Sequence, residues 1–174
     1  MYYALTLDSN GNGIGSHAYV EEPSSYPTNE IVCTEAQAQN PTVYQVVNGQ
    51  IVESLSYAKT SQITLLQSAL QKAEQSPIHI TLSSGITTSF NMTSHDWTKI
   101  VGLYSKYVVK GDSLPTPYPL LDSRNVLQYI TKIDIENLYN AGEAQTVNAT
   151  TKFDTLVKSV QTATTVEAIK AIVW

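Results

Sequence analysis

The stretch Val43-Tyr44-Gln45-Val46-Val47-Asn48-Gly49-Gln50-Ile51-Val52-Glu53 decides how the chain is read. Two β-prone runs flank Asn-Gly, the dipeptide preferred in a two-residue type I′ hairpin because both turn residues need positive φ. Working back from it, Tyr2 to Leu7 and Gly15 to Val20 are β-rich segments separated by a Gly/Asn cluster, which predicts another hairpin. Between the two lies Glu22-Pro23-Ser24-Ser25-Tyr26-Pro27, where two prolines forbid a central strand or helix. Glu30 to Thr34 is short enough for one further strand. Residues 1–54 are therefore expected to form a small antiparallel β unit.

Working forward, the character changes at Ser54. Tyr57 to Gln75 is rich in Ala, Leu, Gln and Lys, and Ile63, Leu66, Leu70 and Ala73 form one apolar stripe at helical spacing. Pro77 ends that helix. Ile78 to Leu82 and Ile86 to Phe90 flank Ser83-Ser84-Gly85, a further hairpin signal. Thr93 or Ser94 caps the next helix, with Asp96 in its first turn and Trp97, Val101, Tyr104 and Val108 on one face. Lys110 to Asp122, with Gly111 and three prolines, reads as a loop, and Val126 to Ile130 as a strand. Ile133 to Thr162 is a long helix with Phe153, Leu156, Val157 and Val160 on one stripe; Gly142 and a Thr-rich middle predict a weak point where it divides in two. Thr164-Thr165-Val166-Glu167 is a capping-box pattern opening a last short helix. The fold class is α+β, with the β unit at 1–54 and a helix-rich domain with a β-hairpin at 55–174.

Composition narrows function. Charged residues make up 14% of the chain, below the roughly 25% of an ordinary soluble domain. A net charge of −5 and a single arginine, Arg124, leave no basic footprint for nucleic acid. No apolar run approaches the ~20 residues of a membrane span, and MYYALTLD carries neither the basic nor the apolar region of a signal peptide. Cys33 is the only cysteine, so no intrachain disulfide forms. Asn91-Met92-Thr93 and Asn148-Ala149-Thr150 match the glycosylation sequon and, without a secretory signal, read as accidental.

Candidate chemistry is sparse. Asp8, Asn10 and Asn12 stand at alternate positions before Gly13, like the start of a calcium loop. The bidentate Glu such a loop needs at its twelfth position is Tyr19 here, and the flanking segments are strand-like, so a hairpin turn is the preferred reading. His17, His79 and His95 have no metal-ligand spacing. His95-Asp96 would point in different directions on a helix, and Cys33 with a distant histidine is no motif. No nucleophile elbow, phosphate loop or dinucleotide fingerprint is present. The expectation is a non-enzyme without metal or cofactor. Eleven tyrosines against two phenylalanines is a skewed ratio, and Tyr suits interfaces because it is large, rigid and amphipathic. Trp97, Tyr104, Tyr107 and Tyr118 flank the proline-rich loop and are the candidate interface or ligand surface; core and interface packing is preferred there over polysaccharide binding.

The order of elements resembles small bacteriophage tail proteins encoded near tail-fibre genes. The opening MYYALTLDSNGNGIG, the proline-rich loop, the YQVVNGQIVE hairpin and the Ala/Gln-rich helix carry the first part of this resemblance. The remainder looks like a phage domain of unknown function found in tail-fibre and tail-fibre-assembly proteins. It matches at the hairpin from Ile78-His79-Ile80-Thr81-Leu82 to Phe90, at Ser94-His95-Asp96-Trp97, at Val126 to Ile130 and at Phe153 to Ile172. Met92-Thr93-Ser94 departs from an aspartate-serine pair common in such proteins, and Tyr129 stands for an expected aromatic residue. The resemblance implies a virion protein of the tail, made in the host cytoplasm, that contacts other tail or fibre proteins and forms homo-oligomers, trimers by analogy. The alternatives are a tail-fibre assembly chaperone absent from the virion and a host-glycan-binding module. It carries no catalytic residues.

Overall fold

The computed structural model describes residues 1–115 and 118–174, and its architecture is α+β. The expected loop over 110–122 includes Thr116 and Pro117, which lie outside the described residues. The chain forms two compact units, one of residues 1–66 with 156–174 and the other of residues 67–155. They do not follow the division expected at residue 54. Two thin β-sheets offer little to bury against, and the last residues of the chain supply Val160 and Ile169, both wholly out of water, to the first unit.

In the first unit, β1 (Tyr2–Leu7) lies between β2 (Gly13–Tyr19) and β3 (Glu30–Cys33), antiparallel to both. Ala4 and Leu5 on this central strand are fully buried, although they point to opposite faces. The short helix α1 (Glu35–Gln39) opens with a capping box between Thr34 and Gln37, and Ser16 donates to its Ala38 carbonyl at 2.7 Å. A 3-10 turn (Pro41–Val43) leads into β4 (Tyr44–Val47), paired with β5 (Gln50–Glu53). Asn48 and Gly49 both have positive φ, 51° and 76°, as the type I′ turn demands.

The helix α2 (Leu55–Glu74) begins in this unit, burying Ala58, Gln62 and Leu66. Gln62 donates to the Ile172 carbonyl at 2.6 Å, Lys59 to the Gln161 carbonyl at 2.7 Å, and Lys170 pairs with Glu53. The last helix α5 (Val166–Lys170) is capped by Thr165, which accepts from the Ala168 amide. The residue at the third helical position is thus Ala168 rather than Glu167, so the predicted box is only a cap.

The second unit is built from two hairpins, each followed by a helix. β6 (Ile78–Thr81) pairs with β7 (Thr87–Phe90) and leads to α3 (Ser94–Leu103); β8 (Tyr118–Leu121) pairs with β9 (Leu127–Ile130) and leads to α4 (Lys132–Thr162). The two turns are alike bond for bond. Leu82 donates to the Ile86 carbonyl and accepts from the Gly85 amide, while Asp122 donates to the Val126 carbonyl and accepts from the Asn125 amide. Gly85 and Asn125 hold the matching positive φ of 83° and 61°. The positions facing in also correspond, buried or half-buried: Ile78, Ile80, Thr88 and Phe90 in one hairpin, Tyr118, Leu120, Gln128 and Ile130 in the other. The unit is an internal ββα duplication.

β8 corrects the sequence reading of 110–122 as loop throughout. It has a single strand partner, so Pro119, which lacks an N–H, removes no bond from a central ladder. Of the face expected on α3, Trp97, Tyr104 and Val108 are half-buried against the core. Ile100, Leu103 and Tyr107 are its buried residues, whereas Val101 is exposed. A π-helical turn over Tyr104–Val109, with Lys110 donating to the Ser105 carbonyl at 3.0 Å, carries Tyr107 into the core.

α4 is one unbroken helix, not two. Gly142, read as its weak point, is buried where Trp97 crosses the helix: a Cβ there would stand 2.3 Å from Trp97 Cζ3 and 2.8 Å from Met92 Cε. Three residues on, Gln145 donates to the carbonyls of Ala73, Glu74 and Ser76 at 2.9–3.0 Å and so satisfies the open end of α2. Intrinsic helix propensity favours Gly142→Ala by about 1 kcal/mol. Overpacking against Trp97 should outweigh that, and a net loss of about 1–2 kcal/mol is expected in urea unfolding followed by tryptophan fluorescence.

Candidate functional site

The four predicted aromatics separate into two contacts. Trp97 stacks on Tyr139 with centroids 5.5 Å apart and planes 14° apart, and Tyr104 stacks on the same tyrosine at 3.9 Å and 7°. Tyr107 meets Tyr118 at 6.0 Å and a tilt of 60°, with the Lys106 ammonium 5.1 Å from the Tyr107 centroid. Tyr107 is buried; Trp97, Tyr104, Tyr118 and Tyr139 are half-buried against the same core as Phe90, Ile100 and Leu138. Trp97 and Tyr104 reach Tyr139 because they stand two turns apart on α3. Burial, reinforced by the Glu143 carboxylate, pushes the Tyr139 hydroxyl pKa up. Sequence reasoning missed Tyr139; Trp97 and Tyr104 seven positions apart required a partner, but nothing local named it. Trp97 also borders a recess of about 210 Å³ with Glu74, Gln75, Ser94 and Thr146.

The strongest electrostatics in this unit lie at its turns. Asp122 is 2% exposed and accepts five hydrogen bonds. The Arg124 and Val126 amides reach Oδ1 at 2.9 Å; Thr88 Oγ1 (2.7 Å), the Arg124 guanidinium (3.0 Å) and Gln128 Nε2 (3.1 Å) reach Oδ2. Burial pushes its pKa up, but the bonds from Thr88, Val126 and Arg124 overcome this and hold the carboxyl well below the usual range. Asp134, 1% exposed, accepts from the Ser83 amide (2.6 Å) and hydroxyl (2.8 Å) and from the Thr131 amide and hydroxyl (both 2.8 Å). There too burial opposes and the hydrogen bonds prevail, so the pKa is lowered.

In the first unit, the Glu30 side chain is 2% exposed, paired with His17 and accepting from the Tyr19 hydroxyl at 2.6 Å. The Tyr19 bond and then His17 hold its pKa down despite burial. Tyr26 closes edge-on over Tyr19, with centroids 5.6 Å apart.

Asp8 is occupied by its own loop. It accepts from the Asn10 and Asn12 amides at 2.8 and 2.9 Å and from the Asn12 side chain at 2.9 Å, which lowers its pKa. The loop's glycines have a packing reason. The Gly11 carbonyl accepts from the Val46 amide at 2.8 Å, and a Cβ on Gly13 would lie 2.1 Å from the Pro41 carbonyl oxygen.

Of the remaining candidates, His79 is exposed on β6 and burial raises the Cys33 thiol pKa. No group of three or more His, Cys, Asp or Glu placed to hold a metal occurs among the described residues. His95 and Asp96 border a cleft of about 240 Å³ with Asn91, Lys99 and Asn125. There Asp96 already accepts from the Thr93 hydroxyl at 2.5 Å, and no hydroxyl or thiol nucleophile lines the cleft among the described residues. The sequence had placed His95 and Asp96 on a helix start; the strand residues opposite them came only with the fold.

Comparison of the chain with protein-family models, curated proteins and solved structures returns no match.

Two outcomes are expected. Asp122 and Asp134 have folded pKa values below their ordinary 3.8, so their contribution is complete above that pH and is lost as pH falls below it. The urea midpoint should be level from neutral pH down to about 5 and fall below about 4, with a shallower fall in Asp134→Asn. Separately, added calcium should leave the melting temperature of the parent and of Asp8→Ala unchanged in scanning fluorimetry; a calcium-dependent rise in the parent would restore a metal role for that loop.

Proposed function

We propose that this chain is a non-enzymatic structural component of a bacteriophage tail, a tail-fibre-associated or adaptor protein acting through protein–protein contacts. The observation that carries the reading is how the reactive-looking groups are used. Asp122, Asp134 and Glu30 are each saturated by donors of their own chain, and the predicted aromatics pack on one another. Such groups hold turns and orient elements rather than wait for a substrate. The resemblance of the element order to small tail proteins supplies the setting, which is an argument from likeness rather than from a site. A weakly charged surface suits a crowded assembly, where large single-sign fields would repel neighbours.

Quantitative mass spectrometry of purified virions tests the reading. The protein should be found at a fixed ratio to the other tail proteins. Presence in infected cells but absence from virions would overturn it in favour of an assembly chaperone.

A further inference from the structure

The duplicated hairpins of the second unit share a backbone and differ on one face. In β6–β7 the outward cross-strand pairs are His79 with Ser89 and Thr81 with Thr87, all polar. At the matching places of β8–β9 stand Pro119 with Tyr129 and Leu121 with Leu127. Tyr129, Leu121 and Leu127 are 57%, 54% and 48% exposed; Val126 beside them in the turn is 48% exposed, as its counterpart Ile86 is at 50%, so the difference lies in the strand pairs. An ordinary outward face of a hairpin alternates to polar residues, as the first copy does. The second copy carries apolar side chains at its outward pairs, which within one chain and one backbone geometry points to a covered surface.

We infer that copies of this chain associate through the outer face of β8–β9, Pro119, Leu121, Val126, Leu127 and Tyr129 forming the centre of the interface. The occupant follows from area and charge. These side chains leave roughly 400 Å² of apolar surface in water, close to the non-polar share of the ~800 Å² that each partner contributes to a standard interface. Among the described residues the outward strand pairs of β8–β9 carry no charge, and the nearby Arg124 in the turn is paired with Asp122. An all-apolar patch is complementary to itself, which is the requirement for contact between identical chains. The inference requires no virion, so it stands or falls apart from the proposed tail role.

Sedimentation velocity of the full chain over a range of concentrations tests it. Self-association is expected in the tens of micromolar. Leu121→Thr with Leu127→Thr writes the outward Thr81–Thr87 pair of the first hairpin onto the second and retains β-forming side chains. It should weaken association at least tenfold while far-UV circular dichroism stays unchanged. Leu127→Lys gives a second route to the same loss if the double variant folds poorly. Thr81→Glu on the other hairpin should leave the mass as in the parent. A parent that stays monomeric up to several hundred micromolar, or association undiminished in folded Leu121→Thr/Leu127→Thr, would overturn the assignment.

Discussion

Asp122 stands with both carboxylate oxygens out of water, and the second unit is arranged around that constraint. A buried carboxylate must be met by donors or be neutralised, and here the donors come from separate parts of the chain. Arg124 and Val126 belong to its own turn, Gln128 to the strand that follows, and Thr88 to the other hairpin. The Ser123 amide also reaches the Ser89 carbonyl at 2.7 Å. The two hairpins are joined by this polar knot and not by a continuous ladder. Asp134 makes the reciprocal connection, tying the Ser83 turn of the first hairpin to the start of the helix that follows the second. Because both acids are ionised and fully paired, each turn has one arrangement that satisfies every donor.

Those anchors explain how a weakly charged chain obtains a defined fold. Few surface ion pairs are available, and exposed pairs contribute little in any case. The specifying charges are inside, where a missing partner is costly. Around them the apolar core of Ile78, Phe90, Ile100, Leu120, Ile130 and Leu138 packs between hairpins and helices. The Trp97–Tyr139–Tyr104 stack closes one side of it, and Gly142 makes room for the indole. Glu30 performs a similar task among β1, β2 and β3, where His17 and Tyr19 converge on it. Duplication of a ββα element leaves the inward positions alike, since both copies face the same kind of core. The outward positions are free to diverge, and they have done so.

Much of the local structure was legible. Asn48-Gly49, Ser83-Ser84-Gly85 and the Gly/Asn cluster after Leu7 marked their hairpins, because turn chemistry depends on a few adjacent residues. The stripe through Leu66 and the cap at Thr93 were legible for the same reason. Tyr118 to Leu121 was not, since its proline reads as loop until the strand is seen to have one partner. Nor was the continuity of α4: a glycine weakens an isolated helix, and only the indole lying on Gly142 offsets that weakness. Of the expected face of α3, Trp97, Tyr104 and Val108 pack on the core and Val101 does not, while Ile100, Leu103 and Tyr107 lie deeper than the stripe indicated. Of the candidate site, Trp97, Tyr104, Tyr107 and Tyr118 were named, while Tyr139, which links the first two, was not.

By itself the sequence determined the α+β class and most strands and helices, since these follow from period and turn residues. The tertiary structure alone decided that Asp122 and Asp134 are anchors, that the last residues complete the first unit, and that two dissimilar segments are copies of one element. The reason is physical. Hydrogen bonds to a buried carboxylate and the room left by a missing Cβ depend on residues distant in the chain, and no local pattern carries them. Asp8 shows the difference: a loop spaced like a metal site closes on its own asparagines and packs its glycines against the neighbouring turn and strand.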